Sequence, residues 1–266
     1  MTGGSAQGRC DGPPPWFEAV RWDAPWLSFL RPWAQASQRA LREGQSVHRV
    51  LNDLALSLHE GEAPGVRFVP QTALPADQAY EDFIWRERLV PTRDNAHDFF
   101  NGLTWLAFPR TKARLNELQA AQIEASGVGA TRGPVRDALT VFDENAAIVL
   151  APPPLMQALR ARHWQRLFIE LRPLWAQTQV WLFGHAAQEK LLQPRKAITA
   201  HVYWPEAPLS ADALDASLAD SLHPGHLAEK PYSPLPLLGI PQWWPENEHP
   251  GFYDDAGVFR APPAGP

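Results

Sequence analysis

Two stretches of this 266-residue chain place imidazoles and carboxylates where a purely structural element has little use for them. In VPTRDNAHDFFNGLTWLAFPR, residues 90–110, His97, Asn101 and Thr104 recur at helical spacing and share one helix face, while Phe99, Phe100, Leu103 and Leu106 occupy the others. A buried histidine or asparagine without a partner costs roughly 1–3 kcal/mol, so such a stripe belongs to a hydrogen-bond network or to the wall of a cleft. In GHAAQEK, His185 and Glu189 stand one helical turn apart, just after an apolar run. That spacing lets imidazole and carboxylate converge on one metal ion, or lets the carboxylate orient the imidazole as a general base. A third histidine, His201, lies in an alternating run, 198–204, in which Thr199, His201 and Tyr203 share a strand face.

Each of these has a plainer explanation. Asp94 or Asn95 can cap a helix whose first turn merely contains His97 and Asp98, where negative charge suits the dipole. His185 and Glu189 can form a surface pair behind a Gly184 needed for a tight turn. A lone strand histidine is commonly a satisfied core residue, and Asp143-Glu144 is an easy turn sequence. The basic residues Arg93, Arg110, Lys112, Arg114 and Arg136 flank the polar stretches and suit a phosphate or carboxylate, or else simply solvate helix ends. Arg110 and Lys112 follow Pro109, where a new helix offers backbone donors as well.

The elements that must position these groups are read from periodicity. Helices are expected over 26–42, with Pro32 starting or kinking the first, over 47–58, capped by Ser46 and closed by Gly61, and over 77–89. Two more are expected on either side of Pro109, since proline removes a backbone donor and clashes with the preceding turn. A strand is expected at 66–69. Residues 138–142 and 146–150 read as strands joined by the turn Asp143-Glu144-Asn145, a β-hairpin. A helical stretch follows over 152–171, then a strand at 180–183, a helix at 185–192 and a strand at 198–204. That last succession reads as a parallel crossover. A short helix is expected at 211–222. The region after His223, rich in proline and aromatics, reads as an ordered wrap because Leu235, Leu237, Leu238, Ile240, Trp243, Trp244, Phe252, Tyr253 and Phe259 carry too much apolar surface for water.

Composition narrows the function classes. The fold class expected is α+β or mixed α/β: a flexible leader at 1–15, a single domain at 16–260 with a helical N-terminal half, a hairpin and a small mixed sheet, and a flexible tail at 261–266. A hydrophobic share of 45% and a charged share of 20% are those of a globular chain. Net charge of −5 disfavours nucleic acid and anionic membrane surfaces as partners. The single cysteine, Cys10, rules out an intramolecular disulfide and a cysteine zinc site. No run reaches the roughly 20 apolar residues of a membrane helix, and the leader lacks a basic-then-apolar signal, so a cytoplasmic location is the expectation. Nothing in the sequence specifies an oligomeric state.

The run PTRDNAHDFFNGLTWLAFPRTKARLNELQ, followed in order by RDALTVFDENAA, GHAAQEKLLQP, ITAH, LLGIPQWW and FYDDAGVFR, resembles a family of bacterial cytoplasmic proteins known only as a domain of unknown function. The similarity spans about residues 16–260, and the resemblance brings no activity, cofactor or catalytic residue with it. One departure is Ala146, where glycine is expected after the Asp143-Glu144-Asn145 turn.

The residues together point to an enzyme, a hydrolase or transferase on a small anionic substrate, with a cleft built from the helix near His97, the Asp143-Glu144 turn, the His185-Glu189 helix and His201. His97, Asp98, His185 and Glu189 are the catalytic candidates, and Arg93, Asn101, Arg110 and Lys112 the substrate-binding ones. A divalent metal, zinc, iron or manganese, has His185, Glu189 and His201 as candidate ligands. The competing reading is a binding or scaffold protein whose twelve tryptophans include an exposed Trp243-Trp244 anchor. The two part on whether His97, His185 and His201 share a pocket or are dispersed.

Overall fold

Prolines open several helices, because a proline at the first position gives up only an amide that has no helical partner. In the computed structural model, which describes residues 14–58, 64–126 and 133–261, Pro32 opens α1 (Arg31–Arg42) after a 3-10 turn at Pro25–Leu30. α2 (Val47–Leu56) buries the expected stripe of Val47, Val50, Leu51 and Leu54, but its first amide donates to Asp94 Oδ1 at 2.7 Å and the Ser46 side chain caps nothing. β1 (Arg67–Pro70) and β2 (Leu89–Thr92) form a two-stranded parallel sheet, with α3 (Tyr80–Glu87) between them in sequence. α4 (Ala96–Ala107) and α5 (Pro109–Ser126) are separated at Phe108, as proline at 109 requires. The leader before Pro14, Cys10, Gly61 and the tail from 262 lie outside the described residues.

The second sheet comes from the C-terminal half. α6 (Pro134–Asn145) runs directly into β3 (Ala146–Leu150), followed by α7 (Pro153–Arg160), β4 (Gln179–Leu182), α8 (His185–Lys190), β5 (Thr199–Tyr203), α9 (Leu214–Ser221), α10 (Pro224–Ala228) and β6 (Tyr232–Pro236). The strand order is β4-β3-β5-β6, with β3 antiparallel to β4, parallel to β5, and β5 antiparallel to β6. The architecture is α+β, with both small sheets embedded among helices.

Three local expectations are corrected. There is no hairpin at 138–150: residues 138–142 belong to α6, which starts at Pro134 and buries Ala138, Leu139 and Phe142, an i, i+1, i+4 set that fits a helix face. Asp143 and Glu144 therefore sit on the last turn of a helix, and Ala146 follows with an ordinary φ of −71°. The link from β4 through α8 to β5 is not a parallel crossover, because β4 and β5 flank β3 and run in opposite directions. The helical stretch expected over 152–171 ends at Arg160, and a positive φ of 52° at Arg162 separates it from a π-helical turn at Arg166–Glu170.

The alternation along β3 shows how the core is divided. Ala147 and Val149 face one apolar cluster, with Ala200, Val202 and Leu235 and the helices of the N-terminal half. Ala146 and Ile148 face another, with Phe142, Phe183, Tyr203 and the buried leucines of α5, α9 and α10. The C-terminal region is an ordered wrap: Leu235, Leu237, Leu238, Ile240, Tyr253 and Phe259 are buried, and Trp243 and Trp244 pack half-buried on the larger cluster.

Candidate metal centre

α4 is buried on nearly every face, and its start is set by side chains that the sequence nominated for chemistry. Asn95 caps it, accepting from the Asp98 amide at 2.8 Å. The Asp98 carboxylate is in turn taken up by Arg93, through the backbone amide at 2.6 Å, Nε at 3.0 Å and Nη2 at 2.8 Å. Arg93 and Asp98 thus clamp each other across the first turn, and that clamp aims His97 outward from the helix toward α8.

α8 is held in place by two features. Gly184 precedes it, and a Cβ on that residue would meet the Asn145 backbone at 2.4–2.6 Å, so only glycine lets the start of α8 lie against the end of α6. Buried Gln188 donates to the carbonyl of Leu182 at 2.7 Å, and to the carbonyl of Phe183 and Thr104 Oγ1 at 3.3 Å each, while Thr104 also reaches the Phe183 carbonyl. These bonds tie α8 to α4 through the polar stripe of α4.

Three side chains from three helices converge at this junction. Nε2 of His97 lies 3.1 Å from Nε2 of His185, and Glu144 Oε2 stands 3.5 Å from the His185 nitrogen and 4.0 Å from the His97 nitrogen. His97 Nδ1 faces Glu189 Oε2 at 3.0 Å. A carboxylate there accepts a hydrogen bond from Nδ1–H, which favours the tautomer whose Nε2 lone pair points at its neighbours. Four-coordinate ions with bonds of about 2.0–2.1 Å hold neighbouring ligand atoms about 3.3 Å apart, which is the scale of this triangle. His185 is 4% exposed at its side chain, whereas His97 and Glu144 are 28% and 31% exposed, so the cluster is closed on the protein side and open on the other.

Electrostatics sharpen the picture. Burial drives the His185 imidazole down to about 3, with Lys112 and His97 adding to the effect and Asp143 opposing it, so the ring is neutral and fit to be a ligand. Burial and then the neighbouring Asp143 charge push the Glu144 carboxyl up. Burial alone would raise Asp143 too, but Lys112 and the two imidazoles outweigh it and hold Asp143 below the ordinary range.

Behind the triangle runs a buried polar chain. The Lys112 ammonium, 4% exposed at its side chain, contacts the Asp143 carboxylate and donates to Asn101 Oδ1 at 2.7 Å, and Asn101 Nδ2 donates to Tyr80 Oη at 3.3 Å. Burial, with Asp98 and Asp143 nearby, raises the Tyr80 phenol well above its ordinary value.

The structure therefore brings together His97, His185 and Glu189 with the Asp143-Glu144 segment, as the sequence reading placed them in one cleft, and makes Glu144, which had no role assigned to it there, a member of the cluster. Lys112 and Asn101 lie beneath the group, facing inward. Arg110 is exposed at the start of α5, and the free amides there are already filled: Asp215 of α9 accepts from the Arg110 and Thr111 amides at 2.9 Å each and from Thr111 Oγ1 at 2.7 Å. His201 stands outside the converging set, which consists of His97, Glu144 and His185 with ligand atoms within 4.8 Å of one another. Its ring lies on the β5 face shared with Tyr203, against Tyr232, and burial and then Lys190 lower its pKa. Glu144 carried a signal that periodicity could have found, since a helix starting at Pro134 puts it on the final turn beside Ala146.

Among the described residues no helix is long and apolar enough to cross a membrane. No curated protein and no solved structure matches the chain. Residues 66–262, which contain every side chain of the cluster, match the family described as protein of unknown function (DUF3025), and the chain belongs to that family.

Proposed function

We propose that this chain is a metal-dependent enzyme in which His97, His185 and Glu144 hold one divalent ion, used for hydrolysis or group transfer on a small anionic substrate. The observation that carries the reading is the triangle itself: two imidazole nitrogens 3.1 Å apart with a carboxylate oxygen 3.5 Å from one of them, all from different helices. Two histidines and one carboxylate on one face of an ion leave positions for water or substrate, and suit zinc, iron or manganese. An ion there supplies Lewis-acid polarisation and an activated water. Glu189 fixes the His97 tautomer, and burial keeps His185 neutral. Lys190, bonded to Asn145 at 2.9 Å, and Arg93, paired with Asp98, offset the Glu144 and Glu189 carboxylates on the open side, and a bound divalent ion would be what draws an anionic group in. The alternative of an aromatic docking surface loses its motive, because Trp243 and Trp244 pack on the core and Trp243 lies 6.1 Å from the ring of Trp26.

The test is elemental mass spectrometry of tag-free protein purified without chelator, with His185→Ala and Glu144→Gln alongside. Near one transition metal per chain, lost in both folded variants, is expected. No metal in the native protein, even after incubation with zinc, iron(II) or manganese(II), sinks the reading.

A further inference from the structure

Nothing so far accounts for the most costly group beside the site. Lys112 is almost fully buried in α5, with its ammonium spent on Asp143 and Asn101 and standing 5.5 Å from the Trp105 ring. A buried ion pair is weak support for stability, since desolvating both partners offsets most of their attraction and an apolar pair of similar volume often does as well. What the pair does accomplish is positional. Asp143 precedes Glu144 at the end of α6, and its Oδ1 stands 4.0 Å from Nδ1 of His185. That nitrogen is buried, is met by no hydrogen bond of ordinary geometry, and faces Asp143, whose backbone and carboxylate both favour a proton there.

Resting on the metal reading above, we propose that Asp143, anchored by Lys112, is a positioning residue that holds His185 as its Nδ1–H tautomer and so turns the Nε2 lone pair toward Glu144 and His97. A negative charge beside Nδ1 attracts the N–H dipole and disfavours a lone pair there. With Glu189 doing the same for His97 at 3.0 Å, both Nε2 atoms present lone pairs at a separation of 3.1 Å. Two lone pairs and a carboxylate facing one another repel until a cation lies between them. The site is thus built with one carboxylate behind each imidazole: half-buried Glu189 behind half-buried His97, and the more enclosed Asp143, paired with Lys112, behind buried His185. Lys112 matters because its ammonium, itself fixed on Asn101 Oδ1 at 2.7 Å, holds the Asp143 side chain in the place it takes beside His185.

Two readouts test this, one of them without metal. Nitrogen-15 NMR of the metal-free full chain, with histidines labelled, is expected to show His185 as the Nδ1–H form in the native protein. Asp143→Asn and Lys112→Met are expected to shift that ring toward the other tautomer or a mixture. The same variants, titrated with zinc against a chromophoric chelator, are expected to bind about ten- to a hundredfold more weakly, and Lys112→Arg to recover part of the loss. An Nε2–H form of His185 in the native protein overturns the proposal, as do folded variants with unchanged tautomer and zinc affinity. If Lys112→Met does not fold, the isosteric Asp143→Asn decides the matter. A native chain that binds no metal but shows the Nδ1–H form, lost in Asp143→Asn, sinks the metal reading while leaving this assignment standing.

Discussion

Two buried polar clusters in this molecule are built from similar residues and end in opposite states. Under the C-terminal wrap, Arg172 donates through Nη1 to the Phe168 and Asn247 carbonyls and to Tyr253 Oη, and through Nη2 to Asn247 Oδ1 and Glu248. Asn247 Nδ2 donates to the carbonyls of Leu238 and Ile240, and Tyr253 Oη to that of Gly239. Donors and acceptors match there, and the cluster is complete in itself. At the junction of α4, α6 and α8, by contrast, two imidazole Nε2 atoms stand 3.1 Å apart with Glu144 Oε2 at 3.5 Å from one of them, and the buried His185 Nδ1 meets no side-chain partner at hydrogen-bond distance. A polar cluster that satisfies itself holds the fold, while one that leaves buried polar atoms unpaired calls for a partner, and in the reading proposed above that partner is a cation.

The sharpest way to break the contrast is Gly184→Ala. Its added methyl overlaps the Asn145 backbone, so α8 must move from α6, at an expected cost of about 3 kcal/mol read by urea unfolding, with metal binding lost and the Arg172 cluster unchanged by hydrogen exchange. Removing a ligand comes next: His97→Ala should weaken zinc binding more than a hundredfold, beyond the roughly 10–100-fold typical of supporting residues, while the thermal midpoint of the metal-free chain stays close to native. Asn247→Ala should do the reverse, destabilising by about 2 kcal/mol because two carbonyls are left unmet, with zinc affinity unaltered in a calorimetric titration. Glu189→Gln, which keeps a partner for His97 but removes the charge, should cost only about tenfold in zinc affinity.

The smallest effect is in the pH profile of the metal-free protein. His185 and His201 are both held below their unfolded value of 6.5 by burial, so the unfolded chain binds protons first and stability falls as pH drops below 6.5. Glu144, raised by burial, opposes this lower down, so the comparison is best made between pH 7 and 5.5. In the Arg172 cluster, burial raises Tyr253 above its ordinary 10.0, so that region contributes stability that is lost as pH rises past 10. Unfolding midpoints that are flat from pH 7 to 5.5 would contradict the lowering of both imidazoles in the folded chain.

How much of this was legible depended on whether a residue's neighbours were local. That Pro32 starts or kinks the first helix, the stripe of α2 and the break at Pro109 follow from proline chemistry and 3.6-residue spacing, although α1 begins at Arg31 and residues 25–30 form a 3-10 turn. α6 was hidden because Ala138 to Phe142 is a short apolar run that fits a strand as well as a helix. β6 was hidden by Pro234 and Pro236, which a central strand excludes but an outer strand beside β5 tolerates. His97 and His185 stood out as polar residues among apolar ones, yet their meeting is tertiary. Glu189 is a helical turn from His185, but its carboxylate goes to His97 on another helix. Lys112 was expected to face a substrate because it follows Pro109 at the start of a new helix, and only the packing of α5 against α6 shows it turned inward.

The seat that Asp215 takes at the start of α5 also bears on how the chain is made. Thr111 and Asp215 are 104 residues apart, so the carboxylate that completes the first turn of α5 leaves the ribosome long after that helix does. At roughly 5–20 residues per second the delay is about 5–20 s, ample time for a local helix to form and for a distant loop to be the slow step in closing. α4, which carries His97, is joined to α5 through Phe108 alone and must wait with it. A nascent chain halted before residue 215 should thus hold helical but loosely docked α4 and α5, and settle only when α9 emerges.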